Sequence, residues 1–425
     1  MKEVKYKEIL SLGEEIEERL RHLGQISHTE GVPGVWRAIH MPTDLCAKSL
    51  LSEWFSDAGL SVRQDAFGNL YGRLEGEVSE TILVGSHVDT VKNGGLYDGA
   101  CGVVTAISAV KALRKAGWKP YYSVEVVGIE EEEGSRFDLS YPGSNAIIGG
   151  LMQEDLEVKD ENGISLRQAM EACGYDPALL PSVDRRGQVK EYIELHVEQG
   201  EVLDRENISI GIVENITGMV MFSVSVRGEQ NHAGATPMYL RKDPMIKTAQ
   251  LMLQLTERIQ EISPTGVITF GEVAVSPGVA NVIPGQVDFS IDLRDGKLDA
   301  LLAEEAAVKE IIRAAEADGF TVDLQMYSHE DPVPLDPEMT ASLQEAAEEA
   351  GVTHKRMNSG AGHDAMIIGR VIPAAMIFIP SADGISHSPD EYTRPEDLSN
   401  GCEVLGRLMV KRAGRVAPGV MTIRS

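Results

Sequence analysis

The chain has 425 residues, with 39 basic against 66 acidic side chains and a formal net charge of −27 at pH 7. This length predicts two or three domains and is ample for a large buried core. Because a phosphate-binding surface needs a basic face, the acidic balance argues against nucleic acid or an anionic membrane as a partner. The four cysteines are scattered without a Cys-x-x-Cys pair, which argues against a disulfide framework or a zinc finger and favours a reducing compartment.

The first segment, MKEVKYKEILSLGEEIEERL, alternates charged and apolar side chains at helical spacing. This pattern is typical of a surface helix and not of a signal peptide or a membrane span. We therefore expect a cytoplasmic protein.

Hydrophobic periodicity in the first half of the chain predicts helices and strands in alternation. Helices are expected over residues 6–23, 43–58, 99–115 and 165–173. Strands are expected over residues 82–84, 122–129 and 192–196, with two more around a turn within residues 60–74. The order strand, helix, strand implies a parallel sheet flanked by helices.

The pattern changes after about Glu214. Strands are predicted at residues 219–227, 266–275, 286–294 and 320–325, with helices at 244–262 and 298–317. This β-α-β-β-α-β order is that of the ferredoxin-like split unit. From about Pro332 the first pattern resumes, with a helix at 338–350, a strand at 373–379 and a helix at 395–412.

These elements predict an α/β protein with a mixed, mostly parallel sheet flanked by helices. Residues 1–214 and 330–425 are expected to form one discontinuous domain, and residues 215–329 an inserted α+β domain of the ferredoxin-like type.

The stretch TILVGSHVDTVKNGGLYD carries one imidazole and two carboxylates beyond an apolar strand. In an extended chain His87 and Asp89 point to the same side, so the Asp89 carboxylate is expected to accept a hydrogen bond from the ring nitrogen not bound to metal. The glycine pair then bends the chain and returns Asp98 towards His87, where its two oxygens can bridge two cations. This stretch alone leaves open a structural histidine with a capping aspartate.

Three further metal-capable groups lie near strand ends or in a loop: Glu132-Glu133, His196 and His387. Taken singly, each histidine has the alternative of a packed core residue, and a run of four glutamates has the alternative of a solvated helix face. The run, however, follows an apolar strand and not a helix. This position favours carboxylates at the end of a sheet, where they can bind a metal.

Seven motifs occur in an order that resembles one known family: GSHVDT, GGLYDG, EEEEGSRF, ELHVEQG, NHAGATPM, SGAGHDAM and GISHSP. Together they resemble the M20-type metalloamidases of the hydantoinase/carbamoylase group, over nearly the whole chain. The resemblance implies a catalytic domain with two divalent metal ions per subunit and an inserted lid domain that mediates formation of a homodimer. Manganese is the expected metal, with zinc, cobalt or nickel as alternatives, because imidazole and carboxylate ligands suit all of them.

Carried over residue by residue, the resemblance assigns five metal ligands: His87, Asp98, Glu133, His196 and His387. Asp98 would bridge the two ions, the first and fourth of these residues would complete one site, and Glu133 and His387 would complete the other. Related peptidases have a carboxylate where this chain has His196, a difference that places the chain with the amidases of ureido groups.

The same resemblance assigns catalytic residues and part of the substrate pocket. Glu132 would be the general base, with a supporting role or an exchange of roles with Glu133 as the alternatives. His232 would reach across the dimer to stabilise the substrate's carbonyl oxygen, with a turn histidine as the alternative. Gln199 and His363 would line the pocket and bind the ureido group, unless they are loop-packing residues.

Asn281 and Arg294 resemble the pair that holds the substrate's carboxylate, a task that suits the forked guanidinium. An ion pair between Arg294 and Asp292 or Asp295 is the plain alternative. Cys101, three residues beyond Asp98, is expected to be a helix-packing residue because no second thiol accompanies it.

These motifs predict a hydrolase that acts on carbon–nitrogen bonds other than peptide bonds. The expected reaction is cleavage of a carbamoyl (ureido) C–N bond of a small carboxylate, releasing ammonia and carbon dioxide. Allantoate is the expected substrate, because SGAGHDAM, IFIPSADGISHSP and DPVPL resemble allantoate amidohydrolases. The alternatives are an N-carbamoyl-L-amino-acid hydrolase, a β-ureidopropionase and, more distantly, a dipeptidase or aminoacylase. A binding protein without activity is disfavoured, since every ligand position and the base position are occupied.

Overall fold

The structure is a computed structural model that describes residues 6–28 and 33–414. The chain divides into two compact units. Unit 1 takes in the chain as far as Glu214, then Leu335–Met357 and the chain from His363 onward. Unit 2 comprises Asn215–Pro334 and the short piece Asn358–Gly362.

The first part of unit 1 alternates helices and strands. Its helices are α1 (Tyr6–Leu10), α2 (Gly13–Gly24), α3 (Pro42–Asp57), α4 (Ala100–Lys115), α5 (Pro142–Ile147), α6 (Leu166–Ala172) and α7 (Val202–Glu206). Its strands are β1 (Ser61–Gln64), β2 (Leu70–Leu74), β3 (Val78–His87), β4 (Tyr122–Ile129), β5 (Val189–Val197) and β6 (Ile210–Ile216). The single helix predicted over residues 6–23 is two helices, because Leu12 leaves helical geometry with φ −114° and ψ 16°.

Unit 2 is an α+β unit. Its strands are β7 (Gly218–Arg227), β8 (Asn231–His232), β9 (Val267–Thr269), β10 (Val273–Ser276), β11 (Val282–Ile283), β12 (Gln286–Asp295), β13 (Thr321–Glu330) and β14 (Val333–Pro334). Its helices are α8 (Pro244–Ile262) and α9 (Leu298–Ala314). The strand predicted over residues 266–275 is interrupted. Thr269 pairs with Asp292, and Val273 pairs with Phe289. Three residues between β9 and β10 therefore face two residues of β12, which is the one-residue excess of a β-bulge.

The rest of unit 1 returns the chain to its sheet. Its helices are α10 (Pro337–Ala350), α11 (Asp364–Ile368) and α12 (Pro395–Arg412), and its strands are β15 (His354–Ser359) and β16 (Ala374–Ile379). Short 3-10 helices occur at Asp155–Glu157, Pro177–Val183, Met238–Leu240, Ala315–Asp318 and Ala382–Gly384.

The sheet of unit 1 has the strand order β1-β2-β4-β3-β5-β16-β6, and β15 pairs with β6. The four strands β4, β3, β5 and β16 are parallel, β2 and β6 pair antiparallel with them, and β1 pairs antiparallel with β2. This arrangement confirms the predicted mixed sheet with a parallel centre. Because neighbouring parallel strands run the same way, their carboxyl ends meet at one edge of the sheet.

The central strands are buried on both faces along nearly their whole length, as expected for a parallel sheet covered by helices. Helix α4 packs against β3 and β5, and α12 packs against α4. Cys101 is fully buried in this core. Among the described residues, no helix combines the length and the apolar character needed to cross a membrane.

In unit 2 the antiparallel sheet has the order β10-β12-β7-β13, with β9 beside β12. Alternate residues of β12 are buried, which is the pattern of a sheet with one face on a core. The buried side chains pack with apolar residues of α8 and α9, among them Leu251, Leu255, Leu301 and Val308.

Candidate metal centre

The predicted ligands of unit 1 come from the carboxyl ends of its parallel strands. His87 ends β3, His196 lies one residue before the end of β5, and His387 follows β16 in a loop. The register pairs His87 with Ile129, Val84 with Ile193 and His196 with Phe378, so the ends of the four strands lie level.

The two oxygens of the buried Asp98 divide the ligands into two groups. Oδ1 lies 3.3 Å from Nε2 of His87 and 3.2 Å from Nε2 of His196, and the two ring nitrogens are 3.4 Å apart. Oδ2 lies 3.3 Å from Nε2 of His387, which is 3.5 Å from Oε2 of Glu133. Atoms bound to one tetrahedral ion at about 2.0–2.2 Å are roughly 3.3–3.6 Å apart. The spacing therefore suits one ion on each side of Asp98.

Two of the histidines are oriented by main-chain carbonyl groups. Nδ1 of His87 lies 3.0 Å from the carbonyl oxygen of Asp89, and Nδ1 of His196 lies 2.9 Å from that of Val197. A carbonyl oxygen only accepts, so each Nδ1 carries a proton, and the neutral form of each ring has its lone pair on Nε2. The N–H of Gly99 donates to Nε2 of His196, which agrees with this assignment. Both rings thus place a nitrogen that can bind a metal ion next to Asp98.

The predicted hydrogen bond from His87 to the Asp89 carboxylate is wrong. The carboxylate oxygen is 3.7 Å from Nδ1, and the main-chain carbonyl takes its place as the acceptor. The chain leaves the extended conformation after His87, where β3 ends, so the alternation of side chains no longer applies. The Asp89 carboxylate instead accepts from the N–H groups of Glu132 and Glu133, each at 3.1 Å. It fixes the turn that carries both glutamates.

The first two carboxylates of the acidic run have structural partners. Glu130 pairs with the buried Lys48 at 2.8 Å, and Lys48 also pairs with Asp44 at 2.8 Å. Glu131 has φ +56°, and its carboxylate accepts from three main-chain N–H groups, those of Ile39, Arg136 and Phe137. The run is therefore a buried turn and not a solvated helix face.

The other two carboxylates face the histidines. Glu133 lies with Asp98 and His387, whereas Oε2 of Glu132 is 4.0 Å from Nε2 of His87. Burial raises the pKa of Glu132 well above its usual value, and burial together with Asp98 raises the pKa of Glu133 to about 7. The carboxylates of Glu132 and Glu133 both lie beside the histidines. Which of them is the general base and which is the metal ligand therefore stays a prediction.

The carboxylates and imidazoles at this edge of the sheet have the charge and the free lone pairs needed to bind cations. Although burial acts in the opposite direction, the close contacts with His196, His387 and His87 hold the pKa of Asp98 well below its usual range. The hydrogen bond to Asp98 raises the pKa of His387 to about 9. Oε1 of Glu133 is buried without a hydrogen-bond partner among the described residues. Imidazole and carboxylate groups with unused lone pairs are the donor set that divalent metal ions require.

Gln199, which the sequence predicts to line the substrate pocket, lies beside Asp98 and His387. Its Nε2 is 2.9 Å from Oδ2 of Asp98 and 3.3 Å from Nε2 of His387. Its Oε1 is buried and has no partner within the described chain.

Two residues that the sequence analysis missed hold Asp98 in place. Oε2 of Glu391 accepts from the N–H groups of Tyr97, at 2.8 Å, and Asp98, at 3.1 Å. The Ser386 hydroxyl lies 2.9 Å from Oε1 of Glu391 and 3.1 Å from Oδ2 of Asp98. The only signal in the sequence was their position within four residues of His387.

His363 is buried next to the ligand His196, with ring centroids 4.6 Å apart. Burial and His196 lower its pKa well below the usual value, so its ring is neutral. Glu194 lies in the same group and accepts from the Ser86 hydroxyl, at 2.7 Å, and from the N–H of Ala365, at 2.9 Å. Glu194 was also missed, although the period of two along β5 places it on the same face as His196.

His232 and Asn281 lie side by side in unit 2. Strands β8 and β11 pair His232 with Val282, and the N–H of Ala233 donates to the carbonyl oxygen of Asn281 at 3.1 Å. Nδ1 of His232 accepts from the N–H groups of Gly234 and Ala235. A neutral ring then carries its proton on Nε2, which leaves the exposed ring with a hydrogen-bond donor.

Arg294 also lies in unit 2, and its guanidinium contacts an aspartate. It donates to both oxygens of Asp292 at 2.9 Å, and Nη1 donates to the carbonyl oxygen of Gly360 at 2.8 Å. The ion pair between Arg294 and Asp292, which the sequence analysis gave as the alternative role, is thus present. The role of Arg294 towards a substrate stays a prediction.

Comparisons with known proteins decide the family. The model of peptidase family M20/M25/M40 matches residues 83–411. The chain belongs to this M20 family. A protein of Paenarthrobacter aurescens named N-carbamoyl-L-amino-acid amidohydrolase is 40% identical over 402 residues, which cover 93% of this chain and 97% of the relative. The allantoate amidohydrolase of Bacillus subtilis (strain 168) is 39% identical over 384 residues, covering 89% of this chain and 93% of the relative.

Among solved structures, an amidase of the hydantoinase/carbamoylase family from Burkholderia multivorans matches with a TM-score of 0.90 at 32% identity. The match covers 95% of this chain and 98% of that one. The resemblance drawn from the seven motifs is confirmed, and this M20 protein is a hydrolase of carbon–nitrogen bonds other than peptide bonds. Enzymes of the M20 family use divalent metal ions, and the residues around Asp98 fit that requirement.

Proposed function

We propose that this M20 enzyme is a cytoplasmic binuclear-metal amidohydrolase that cleaves a carbamoyl (ureido) C–N bond of a small carboxylate, with allantoate as its substrate. The named relatives act on allantoate or on N-carbamoyl-L-amino acids, which share a ureido group and a carboxylate. An N-carbamoyl-L-amino-acid hydrolase is the second candidate, since the relative of that name is 40% identical. All four cysteines are free thiols, which favours a reducing compartment.

The observation that carries the proposal is the position of Asp98 between two ligand groups. One oxygen is within 3.3 Å of His87 and His196, and the other is 3.3 Å from His387. A carboxylate shared in this way is the usual bridge of a two-metal site. His87 and His196 would hold one ion, and Glu133 and His387 the other, with Asp98 common to both.

Manganese is the metal that we propose, from the family resemblance. Two bound divalent ions would supply Lewis acidity, polarising the substrate's carbonyl and lowering the pKa of a water molecule towards neutrality. The imidazole and carboxylate donors also suit zinc, cobalt and nickel.

Glu132 would act as the general base and then as the general acid. Its carboxylate would take a proton from the attacking water and deliver it to the departing nitrogen. The reaction joins one ureido group, R–NH–CO–NH₂, with one water molecule. It yields R–NH₂, carbon dioxide and ammonia after the carbamate breaks down, so that atoms and charge balance.

The remaining predicted residues would bind the substrate. Gln199 and His363 would hydrogen-bond the ureido group, and Asn281 and Arg294 would hold the carboxylate through amide and guanidinium donors. His232 would donate from Nε2 to the carbonyl oxygen as negative charge develops there. In this role unit 2 serves as a lid, and closure excludes bulk water from the reaction.

We also propose that unit 2 mediates a homodimer, in which His232 serves the partner's site. An exposed apolar group supports this proposal: Met238, Tyr239 and Leu240 are 72%, 85% and 60% exposed. Surface apolar groups of this kind often mark an interface. Light scattering should give the mass of a dimer, and Tyr239→Glu should shift the protein towards monomers with a parallel loss of turnover. Full activity in a monomer would exclude a role across the dimer.

The decisive experiment is ammonia release by the purified, manganese-loaded enzyme. The substrates are allantoate, ureidoglycolate, N-carbamoyl-β-alanine, several N-carbamoyl-L-amino acids and dipeptides. We expect the highest kcat/KM with allantoate, whereas a preference for N-carbamoyl-L-amino acids would support the second candidate. Turnover of dipeptides, measured as released amino acid, without turnover of any ureido compound would refute the proposal. The Glu132→Gln enzyme, assayed in parallel, controls for contaminating activity.

A further inference from the structure

Three arginines meet around one buried carboxylate in unit 1. Glu125, in β4, is only 1% exposed. Arg63, Arg73 and Arg185 donate to its two oxygens at 3.2, 2.9 and 2.9 Å. Neutralising this carboxylate needs one guanidinium, so the group has more positive charge than its structural role requires.

Two of the guanidiniums keep unused donors. A guanidinium has five N–H groups. Within the described chain, Arg63 uses one of them, on Glu125, and Arg185 uses two, on Glu125 and Gln188. Arg73 is nearly saturated, because it also donates to Glu75, Thr81 and the carbonyl oxygen of Ser79. Arg63 and Arg185 are therefore free to bind a further acceptor.

The two guanidiniums are held in position before any ligand arrives. Both lie over the ring of the buried Tyr71, at 3.7 Å for Arg63 and 5.5 Å for Arg185. The Tyr71 hydroxyl in turn donates to Asp65 at 2.9 Å. Stacking on an aromatic face fixes the plane of a guanidinium, and a fixed fork matches a carboxylate or phosphate with little loss of entropy.

The arginines line a cavity of about 530 Å³. This volume lies in the range of small-molecule sites, roughly 300–1,000 Å³. Two acidic side chains, the buried Glu125 and the exposed Glu80, also line the cavity, and the exposed Glu75 pairs with Arg73.

We propose that this cavity binds a small molecule through an oxyanion, either a phosphate or a carboxylate, held by Arg63 and Arg185. The site is separate from the metal centre. Thr81, which lines the cavity in β3, precedes His87 by six residues, or roughly 20 Å of extended strand.

The test uses inorganic phosphate, citrate and chloride with the manganese-loaded enzyme at matched ionic strength. Thermal unfolding and titration calorimetry measure binding. Arg63→Gln is the main variant because Arg63 is 38% exposed and makes one hydrogen bond, so the fold should tolerate its loss. Arg186→Gln is the matched control, since Arg186 pairs with Asp184 and does not line the cavity.

Phosphate or citrate should raise the melting temperature of the natural chain and of Arg186→Gln beyond the effect of chloride. Arg63→Gln should bind the same anion at least tenfold more weakly, and Arg63→Gln with Arg185→Gln should abolish binding. A response to phosphate alone identifies a phosphate-bearing ligand, and a response to citrate alone a carboxylate. Equal affinity in the natural chain and Arg63→Gln would overturn the proposal, because the anion would then bind elsewhere. No response beyond chloride in the natural chain would overturn it as well.

Discussion

Replacing Glu391 by alanine should weaken metal binding although no ligand is removed. The Glu391 carboxylate accepts from the N–H groups of Tyr97 and Asp98, and it lies 2.9 Å from the Ser386 hydroxyl. Its loss leaves two buried N–H groups without an acceptor, at a cost of about 1–3 kcal/mol each, or about 2–6 kcal/mol of stability. Because Asp98 is then less firmly oriented, metal affinity should fall about 10- to 100-fold.

The assay is a chelator competition titration that gives the affinity for manganese, combined with thermal unfolding of the metal-free protein. Glu391→Gln keeps one amide oxygen as an acceptor and should lie between the natural chain and Glu391→Ala. Glu396→Ala, which removes an exposed carboxylate near by in sequence, is the control and should change neither quantity. An unchanged metal affinity in Glu391→Ala would show that Asp98 does not depend on this support.

Three further predictions concern catalysis, substrate binding and stability. Glu132→Gln should keep both metal ions but lower kcat by about 10²–10⁴-fold, and loss of an ion would mean that its role is exchanged with that of Glu133. Arg294→Lys should raise KM much more than it changes metal content, because ammonium lacks the fork that matches a carboxylate, and unchanged kinetics would remove Arg294 from the site. Burial, with Asp295 adding to it, raises the pKa of Glu304 to about 8 from its ordinary 4.5, and neither of its oxygens has a partner among the described residues. The folded protein therefore holds a proton that the unfolded chain releases, so stability should fall by up to about 1.4 kcal/mol per pH unit between about pH 4.5 and 8. Urea unfolding should show a flatter pH dependence for Glu304→Gln, and parallel curves would contradict this reasoning.

The strand and helix pattern could be predicted where one face is buried. The β4 strand and the helices α8 and α12 have the predicted bounds, because their apolar periodicity is regular from end to end. The bulge between β9 and β10 could not be predicted, since it arises from pairing with β12 and not from a local pattern. The short piece Asn358–Gly362 of unit 2 depends on contacts between distant parts of the chain in the same way.

The ligand set of the candidate centre could be proposed from the sequence because the resemblance to the family assigns it and because several of its members follow strand ends that a parallel sheet brings together. The geometry around them could not. The Asp89 carboxylate accepts from the acidic turn and not from His87, because the chain bends where β3 ends. Glu391 lies 293 residues from Asp98 in sequence, so only the folded chain shows that it supports that residue.

The most direct test of the account is the metal content of purified variants after manganese loading and gel filtration, measured by mass spectrometry. The natural chain should hold two ions, and His387→Ala and His196→Ala should each hold one. Asp98→Ala should hold none firmly, because both ions share its carboxylate. One ion in the natural chain, or two in Asp98→Ala, would contradict the binuclear centre.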